Sequence, residues 1–241
     1  MKISLCIPLY NEEKILPQTM DAVSAYMSER FGEDYEIIYI NDGSSDASAS
    51  ILGEKKDERV HAIGYQPNRG KGFAVRTGVL AARGDVVIFT DCDLAYGLDI
   101  IGEFYDHMIE HTELDALIGS RSLHPEGYEG YTFGRKVLSK GYLKFISIYG
   151  GLGLSDSQSG IKAFRREMAR KAFSLATVDR FAFDLEIILL VRKHGGRIGE
   201  FPVKIINHRP STIHFFKDST RMIRDVRRIK KRVKKIKVGQ K

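Results

Sequence analysis

From Ile3 to Thr90 the chain repeats one unit: a short apolar run, then a longer stretch with helical spacing. Strands are expected at Ile3–Ile7, Tyr35–Ile40, Val60–Tyr65 and Val86–Thr90. Helices are expected from about Glu13 to Arg30, over Ala47–Lys56 behind the capping residues Ser44, Ser45 and Asp46, and from about Gly70 to Ala82. Strands joined through helices return to the sheet by crossing over it, which makes neighbours parallel. The pattern therefore predicts an α/β fold, a mostly parallel sheet with helices on both faces. Ligands bind at the carboxyl ends of the strands in such sheets. The residues just after each apolar run thus become the candidates for function.

Beyond Thr90 the repeat loosens. Asp99–His111 reads as a helix and Ala116–Ser120 as a strand. Ser122–Gly134 is rich in Gly, His, Pro and Tyr without any period, and reads as a mobile loop. Residues 135–149 carry an amphipathic helical pattern, broken by Gly150-Gly151-Leu152-Gly153. A strand at Ile161–Phe164, helices at Arg166–Phe173 and Asp184–His194, and a strand at Ile198–Ile206 follow. With 241 residues, 43% of them hydrophobic, the chain can bury one large core. One domain over residues 1–215 is expected, followed by a basic helix over 216–241.

Four strand ends carry chemistry. After the fourth strand come Asp91 and Asp93, one residue apart. On a strand, positions i and i+2 share a face, so both carboxylates can meet one hard cation, Mg²⁺ or Mn²⁺, whose shell is completed by water and phosphate oxygens. The same pair also fits a polar turn. After the first strand, Pro8-Leu9-Tyr10-Asn11-Glu12 stops the ladder and opens a helix; Tyr10 offers an aromatic surface and Glu12 an acceptor for a ribose hydroxyl. After the second strand, Asp42 stands where α/β sheets present an acid to a base or ribose, or caps a turn. Asn68-Arg69-Gly70-Lys71-Gly72 with Arg76 opens the third helix, and a helix amino terminus with Lys71 and Arg76 beside it suits a diphosphate. Neither the Gly-x4-Gly-Lys-Ser/Thr loop nor a Gly-x-Gly-x-x-Gly fingerprint after the first strand is present, which argues against ATPases and dehydrogenases.

These segments, in this order, resemble the family 2 inverting glycosyltransferases. Gly119-Ser-Arg121, Asp156-Ser-Gln-Ser-Gly-Ile-Lys-Ala-Phe164 and Phe183-Asp-Leu-Glu186 are similar to the branch that glycosylates polyprenyl phosphates, the glucosyl members more than the mannosyl ones. The likeness runs over roughly residues 3–225. It implies a GT-A, Rossmann-like nucleotide-sugar-binding fold, with Pro8, Tyr10, Asn11, Glu12 and Asp42 at the nucleoside and Asp91 and Asp93 at a metal–diphosphate. The implied reaction is metal-dependent, inverting transfer of a sugar, glucose from UDP-glucose, to a polyprenyl phosphate. Arg121 and Arg135 are the candidates to hold the acceptor phosphate. Asp156 and Asp184 are the candidates for a base or a sugar-hydroxyl contact, or else cap helices. GDP-mannose as sugar donor, a carbohydrate or protein hydroxyl as acceptor, and a nucleotidyltransferase remain as alternatives. Asp91-Cys-Asp-Leu-Ala-Tyr96 departs from the Asp-Ala-Asp-Gly-Ala-Thr of the glucosyl branch.

Charge is unevenly placed. Residues 217–241 hold twelve Lys/Arg against two Asp, a net +10 within a chain of net +7, so the first 216 residues are net −3. Met222, Val226, Ile229, Val233 and Ile236 recur at spacings of 4, 3, 4 and 3, an apolar stripe on an otherwise basic helix. A membrane-surface helix, a nucleic-acid arm and a helix packed on the domain all carry such a stripe; the lipid-phosphate likeness favours the membrane and no nucleic acid. The amino terminus reads directly as a strand and no run is long enough to span a bilayer, so neither a signal peptide nor an anchor is expected. Cys6 and Cys92 read as small buried hydrophobes. The expected location is cytoplasmic, peripheral at a membrane.

Overall fold

The computed structural model describes residues 1–54, 57–131, 134, 141, 143, 151–180, 182–207 and 215–237, with side chains in the last segment described from residue 225. The candidate Arg135, and nearly all of the helix expected over 135–149, lie outside the described residues. The described strands are β1 (Ile3–Leu9), β2 (Tyr35–Asn41), β3 (Val60–Gly64), β4 (Val86–Phe89), β5 (Ala116–Ser120), β6 (Lys162–Arg165) and β7 (Ile198–Pro202). The described helices are α1 (Leu16–Phe31), α2 (Ser48–Glu54), α3 (Lys71–Ala81), α4 (Asp99–Glu110), α5 (Arg166–Leu175), α6 (Phe183–Lys193) and α7 (Phe215–Lys235).

The strands form one sheet in the order β3-β2-β1-β4-β6-β5-β7. β1 runs parallel to β2 and β4, β2 to β3, and β5 to β7. β6 is antiparallel to both β4 and β5. One end of the sheet therefore gathers the loops that follow the parallel strands and the loop that precedes β6. Alternate residues of each strand feed opposite faces. Cys6, Ile38, Ile40, Val87 and Phe89 pack under α3, α5, α6 and α7. Leu5, Ile7, Ile37, Tyr39 and Ile88 pack under α1, α2 and α4. Cys6 and Cys92 are free thiols and buried.

The described part of the aperiodic stretch after β5, residues 122–131, carries tertiary contacts that its composition does not announce. Tyr128 is buried and its hydroxyl lies 3.0 Å from Ser122 Oγ. Ser122 donates to the Ser155 carbonyl, and Lys204 pairs with Glu126 at 2.6 Å. An aromatic side chain can anchor a loop without leaving any period in its sequence.

The basic tail follows the packed reading of its stripe rather than the membrane-surface reading that the lipid-phosphate likeness favours. Val226, Ile229 and Val233 are 0%, 2% and 5% exposed within the core cluster, and Ile236 packs against it. Their partner is α6, where Leu185, Ile187, Ile188, Leu190 and Val191 are all buried. A helix apolar on every face must be covered by other elements, and α7 supplies the cover. The stripe is therefore not the face a membrane would meet, and the described part of α7 shares the core of the sheet rather than standing apart from it.

Candidate active site

Four charges meet at the loop end of the sheet. Asp91 follows β4 and ion-pairs with Lys71, the first residue of α3. Lys162 opens β6, and because β6 is reversed it starts at this same end. Its ammonium, 1% exposed, donates to Asp184 Oδ1 at 2.6 Å and to the Ser159 carbonyl at 2.7 Å. Burial pushes the Asp184 carboxyl up, further than Lys162 and Lys71 pull it down. Burial pushes the Lys71 ammonium down, but Asp91, Asp184 and Asp93 outweigh it and hold it above its ordinary value. Lys71 is thus a firm cation beside two carboxylates.

Asp91 and Asp93 do not sit on a strand, since β4 ends at Phe89. The Leu94 N–H donates to the Asp91 carbonyl at 3.0 Å, and Leu94 takes a left-handed φ of 49°. The pair belongs to a turn, which is the turn reading of the motif. The turn is held from three sides. Asn207 donates to the Leu94 carbonyl at 2.9 Å, and Ile206 N–H to the Ala95 carbonyl at 2.8 Å. Gly160 N–H donates to the Tyr96 hydroxyl at 3.1 Å. A Cβ on Gly160 would overlap the Asp91 carboxylate, so a larger residue there would push that side chain aside.

The loops after β1 and β2 are tied to each other. Asn11 N–H donates to Ser44 Oγ at 2.9 Å, and its Oδ1 accepts from Ser45 N–H at 2.8 Å. Glu12 N–H donates to Ser48 Oγ and Glu13 N–H to Asp46 Oδ2, both at 3.0 Å. Pro8 lies in register with Ile40 inside the sheet and does not stop the ladder, since β1 runs on to Leu9 opposite Asn41, and Tyr10 leaves 48% of its surface open. Asp42 is tied to the segment that leads into α3. Its buried carboxylate accepts from Tyr65 hydroxyl at 2.9 Å, Asn68 Nδ2 at 2.8 Å, Arg69 N–H at 2.9 Å and Gly70 N–H at 2.9 Å. It organises the turn into α3.

Arg76, expected at a diphosphate, is engaged elsewhere. Its guanidinium donates to the Ala176 carbonyl and to Asp179 Oδ1, both at 2.9 Å. Gly72 explains the approach of that segment: a Cβ on it would sit 2.5 Å from the Val178 carbonyl. Arg121 and Asp156 are also committed, to each other. Arg121 Nε donates to Asp156 Oδ2 at 2.6 Å and Nη2 to Oδ1 at 3.0 Å, with Asp156 fully buried. Burial pushes the Asp156 carboxyl up, but Arg121 and its hydrogen bonds outweigh that and hold it below the ordinary carboxylate range. Asp156 is therefore a poor base, and the bidentate edge of Arg121 is not open to a phosphate.

The converging carboxylates and cations fit what the comparisons find. Residues 4–173 match the glycosyl transferase family 2 pattern. The chain belongs to glycosyl transferase family 2. A dolichyl-phosphate β-glucosyltransferase of Dictyostelium discoideum is 33% identical over 240 residues, covering 95% of this chain and 73% of that protein. The enzyme of the same name from Saccharomyces cerevisiae is 30% identical over 243 residues, covering 93% of this chain and 72% of that protein. In fold, the chain is similar to glucosyl-3-phosphoglycerate synthase of Mycobacterium tuberculosis, crystallised with Mn²⁺, uridine diphosphate and glucosyl-3-phosphoglycerate. That match has a TM-score of 0.70 at 18% identity and covers 99% of this chain and 81% of the other. The sheet and its helices are thus the GT-A arrangement of this family of glycosyltransferases.

Among the described residues no group of three or more His, Cys, Asp or Glu is placed to hold a metal. Two carboxylates on one turn still suit a hard cation that keeps water and phosphate oxygens in its shell, and the Lys71 ammonium shows that Asp91 accepts a positive charge. Reading the residues left out Lys162, Tyr96, Asn68 and Asn207. Lys162 carried a signal, a lone cation inside an apolar strand, which has to find a buried anion.

Proposed function

We propose that this glycosyltransferase moves glucose, with inversion, from UDP-glucose to a polyprenyl phosphate of the dolichyl type. The observation that carries the reading is the Lys71–Asp91 and Lys162–Asp184 cluster beside Asp93, at the loop end of a family 2 sheet. The names of the relatives support the acceptor class and the sugar.

Asp91 and Asp93 would hold Mg²⁺ or Mn²⁺, which supplies Lewis-acid neutralisation of the departing diphosphate. Lys71 adds a fixed positive charge on the same side. The exposed Tyr10 and the loop through Glu12 flank the nucleoside, while Asp42 shapes the turn that presents Lys71. A phosphate monoester has a second pKa of about 6 and is largely dianionic at pH 7. Such an acceptor attacks without a base, so Asp156 and Asp184 need not take a proton. Arg135 and the Nη1 side of Arg121 are the proposed acceptor-phosphate contacts. The raised carboxyl of Asp184 favours a second reading, a hydroxyl acceptor with Asp184 as base. Asp184→Asn separates them once its melting temperature shows that it folds, because it also unpairs the buried Lys162: transfer to a phosphate persists in the folded variant and transfer to a hydroxyl is abolished.

No described helix is long and apolar enough to cross a membrane. With the stripe buried, attachment at the cytoplasmic face falls to the exposed basic side of α7. Binding supports the reading if UDP with Mn²⁺ raises the melting temperature more than GDP with Mn²⁺, since a ligand stabilises the state it binds. A larger shift with GDP turns the assignment to mannose.

A further inference from the structure

Glu186 lies in the first turn of α6 and is fully buried. Its carboxylate collects four hydrogen bonds. Thr177 N–H and Val178 N–H each donate to Oε2 at 2.8 Å, and the Thr177 hydroxyl donates to Oε1 at 3.0 Å. The fourth comes from α7, where Arg232 Nη1 donates to Oε1 at 2.6 Å. The other arm of Arg232, Nη2, donates to the carbonyl of Leu175, the last residue of α5. One guanidinium therefore closes the connection between α5 and α6 from outside.

That connection continues to the mouth of α3. The Asp179 carbonyl accepts from Phe73 N–H at 3.1 Å. Its carboxylate pairs with Arg69 at 3.3 Å and Arg76 at 2.9 Å. Val178 presses on Gly72, the neighbour of Lys71. Residues on both sides of Lys71 thus rest on a segment whose amides are fixed by Glu186, and Glu186 is neutralised by Arg232. The apolar contacts of Val226, Ile229 and Val233 seat α7 on the core; the arginine adds a polar tie to the 175–178 segment that those contacts do not make. A buried carboxylate stripped of its cation is strongly unfavourable, so the segment would rearrange to find water or another partner.

We propose that Arg232 is a positioning residue for the sugar donor: it latches α7 onto Glu186 and so holds the 175–179 segment that backs Lys71 and the amino terminus of α3. The inference rests on the reading of Lys71 as facing the diphosphate of the nucleotide. It gives the carboxyl-terminal helix a part in sugar-donor binding in addition to its basic surface.

The test is titration of UDP in the presence of Mn²⁺ with full-length protein, alongside amide hydrogen exchange at Thr177 and Val178. Arg232→Ala should weaken UDP by about tenfold, within the usual range for coupled sites, and speed exchange at both amides. Arg232→Lys, which keeps the charge but not the fork, should fall between. Val226→Ala should lower the melting temperature while leaving UDP affinity and both amides as they are. If Arg232→Ala proves unfolded, Arg232→Lys carries the same comparison. UDP affinity unchanged in an arginine variant that melts no higher than Val226→Ala overturns the proposal and leaves the pair a structural contact. Failure of the wild-type protein to bind UDP at all is a different result: it refutes the sugar-donor assignment, while the exchange rates still report on the latch.

Discussion

Asp156 shows how a carboxylate at the loop end can serve geometry rather than proton transfer. Both of its oxygens face Arg121, and Gln158 N–H donates to Oδ1 at 3.0 Å. Losing one partner of a buried pair costs about 3–5 kcal/mol, so Asp156→Ala should lower the unfolding free energy from urea titration by that margin. Because the folded carboxyl is held low, its stabilisation is complete above the ordinary pKa of about 3.9 and disappears as pH falls through the lower folded value. The acid limb of wild-type stability should therefore flatten in Asp156→Asn, as urea titrations between pH 2 and pH 6 would record. Asp91→Asn and Asp93→Asn address the reaction instead. Each should cut metal-dependent kcat/KM at least about a hundredfold, ~2.7 kcal/mol of transition-state stabilisation, with the melting temperature little changed, since both lie on a turn outside the core. Full activity of either variant in excess EDTA removes the metal role. Residue types and their place after a strand could mark Asp42 as a candidate, while Asp156 and Asp184 were marked by the family likeness of their segments. Neither signal could say which was already satisfied: the partners Asn68, Arg121 and Lys162 reach them only once the sheet is folded.

Among the elements, the strand–helix repeat through Val86 was fully legible, because alternation of apolar runs and helical spacing is a local property. The reversal of β6 was not, because strand direction depends on how the long connection over residues 121–161 returns to the sheet, which no local pattern states. The environment of α7 was open for a related reason. A stripe spaced 4, 3, 4, 3 states that one face is buried and leaves unsaid what buries it. The apolar run Ile187-Ile188-Leu189-Leu190-Val191 in α6 was the clue that other elements must cover it. Ile229→Ala should therefore cost about 2–5 kcal/mol, as for other buried large-to-small changes, measured by thermal or urea unfolding. Truncation after residue 214 should destabilise the whole protein. A truncated protein that melts like the full chain would show that α7 does not share the core.

For the whole molecule, charge is divided between an acidic domain and a basic helix. Arg227, Arg228, Lys230, Lys231, Lys234 and Lys235 line the outside of α7, while its apolar side faces α6. Attachment to an anionic bilayer should then be electrostatic, gaining about 1 kcal/mol per cation near the surface and weakening steeply with salt. Co-sedimentation with phosphatidylserine vesicles should be lost on reversing three of these charges, with melting temperature and UDP binding intact. The central claim concerns what leaves the active site. The decisive measurement is the product formed from UDP-glucose and dolichyl phosphate with Mn²⁺, its anomeric configuration read by nuclear magnetic resonance. The expected result is dolichyl β-glucosyl phosphate, dependent on Asp91 and on the metal. An α-linked product, transfer from GDP-mannose in preference to UDP-glucose, or transfer only to a hydroxyl would contradict it.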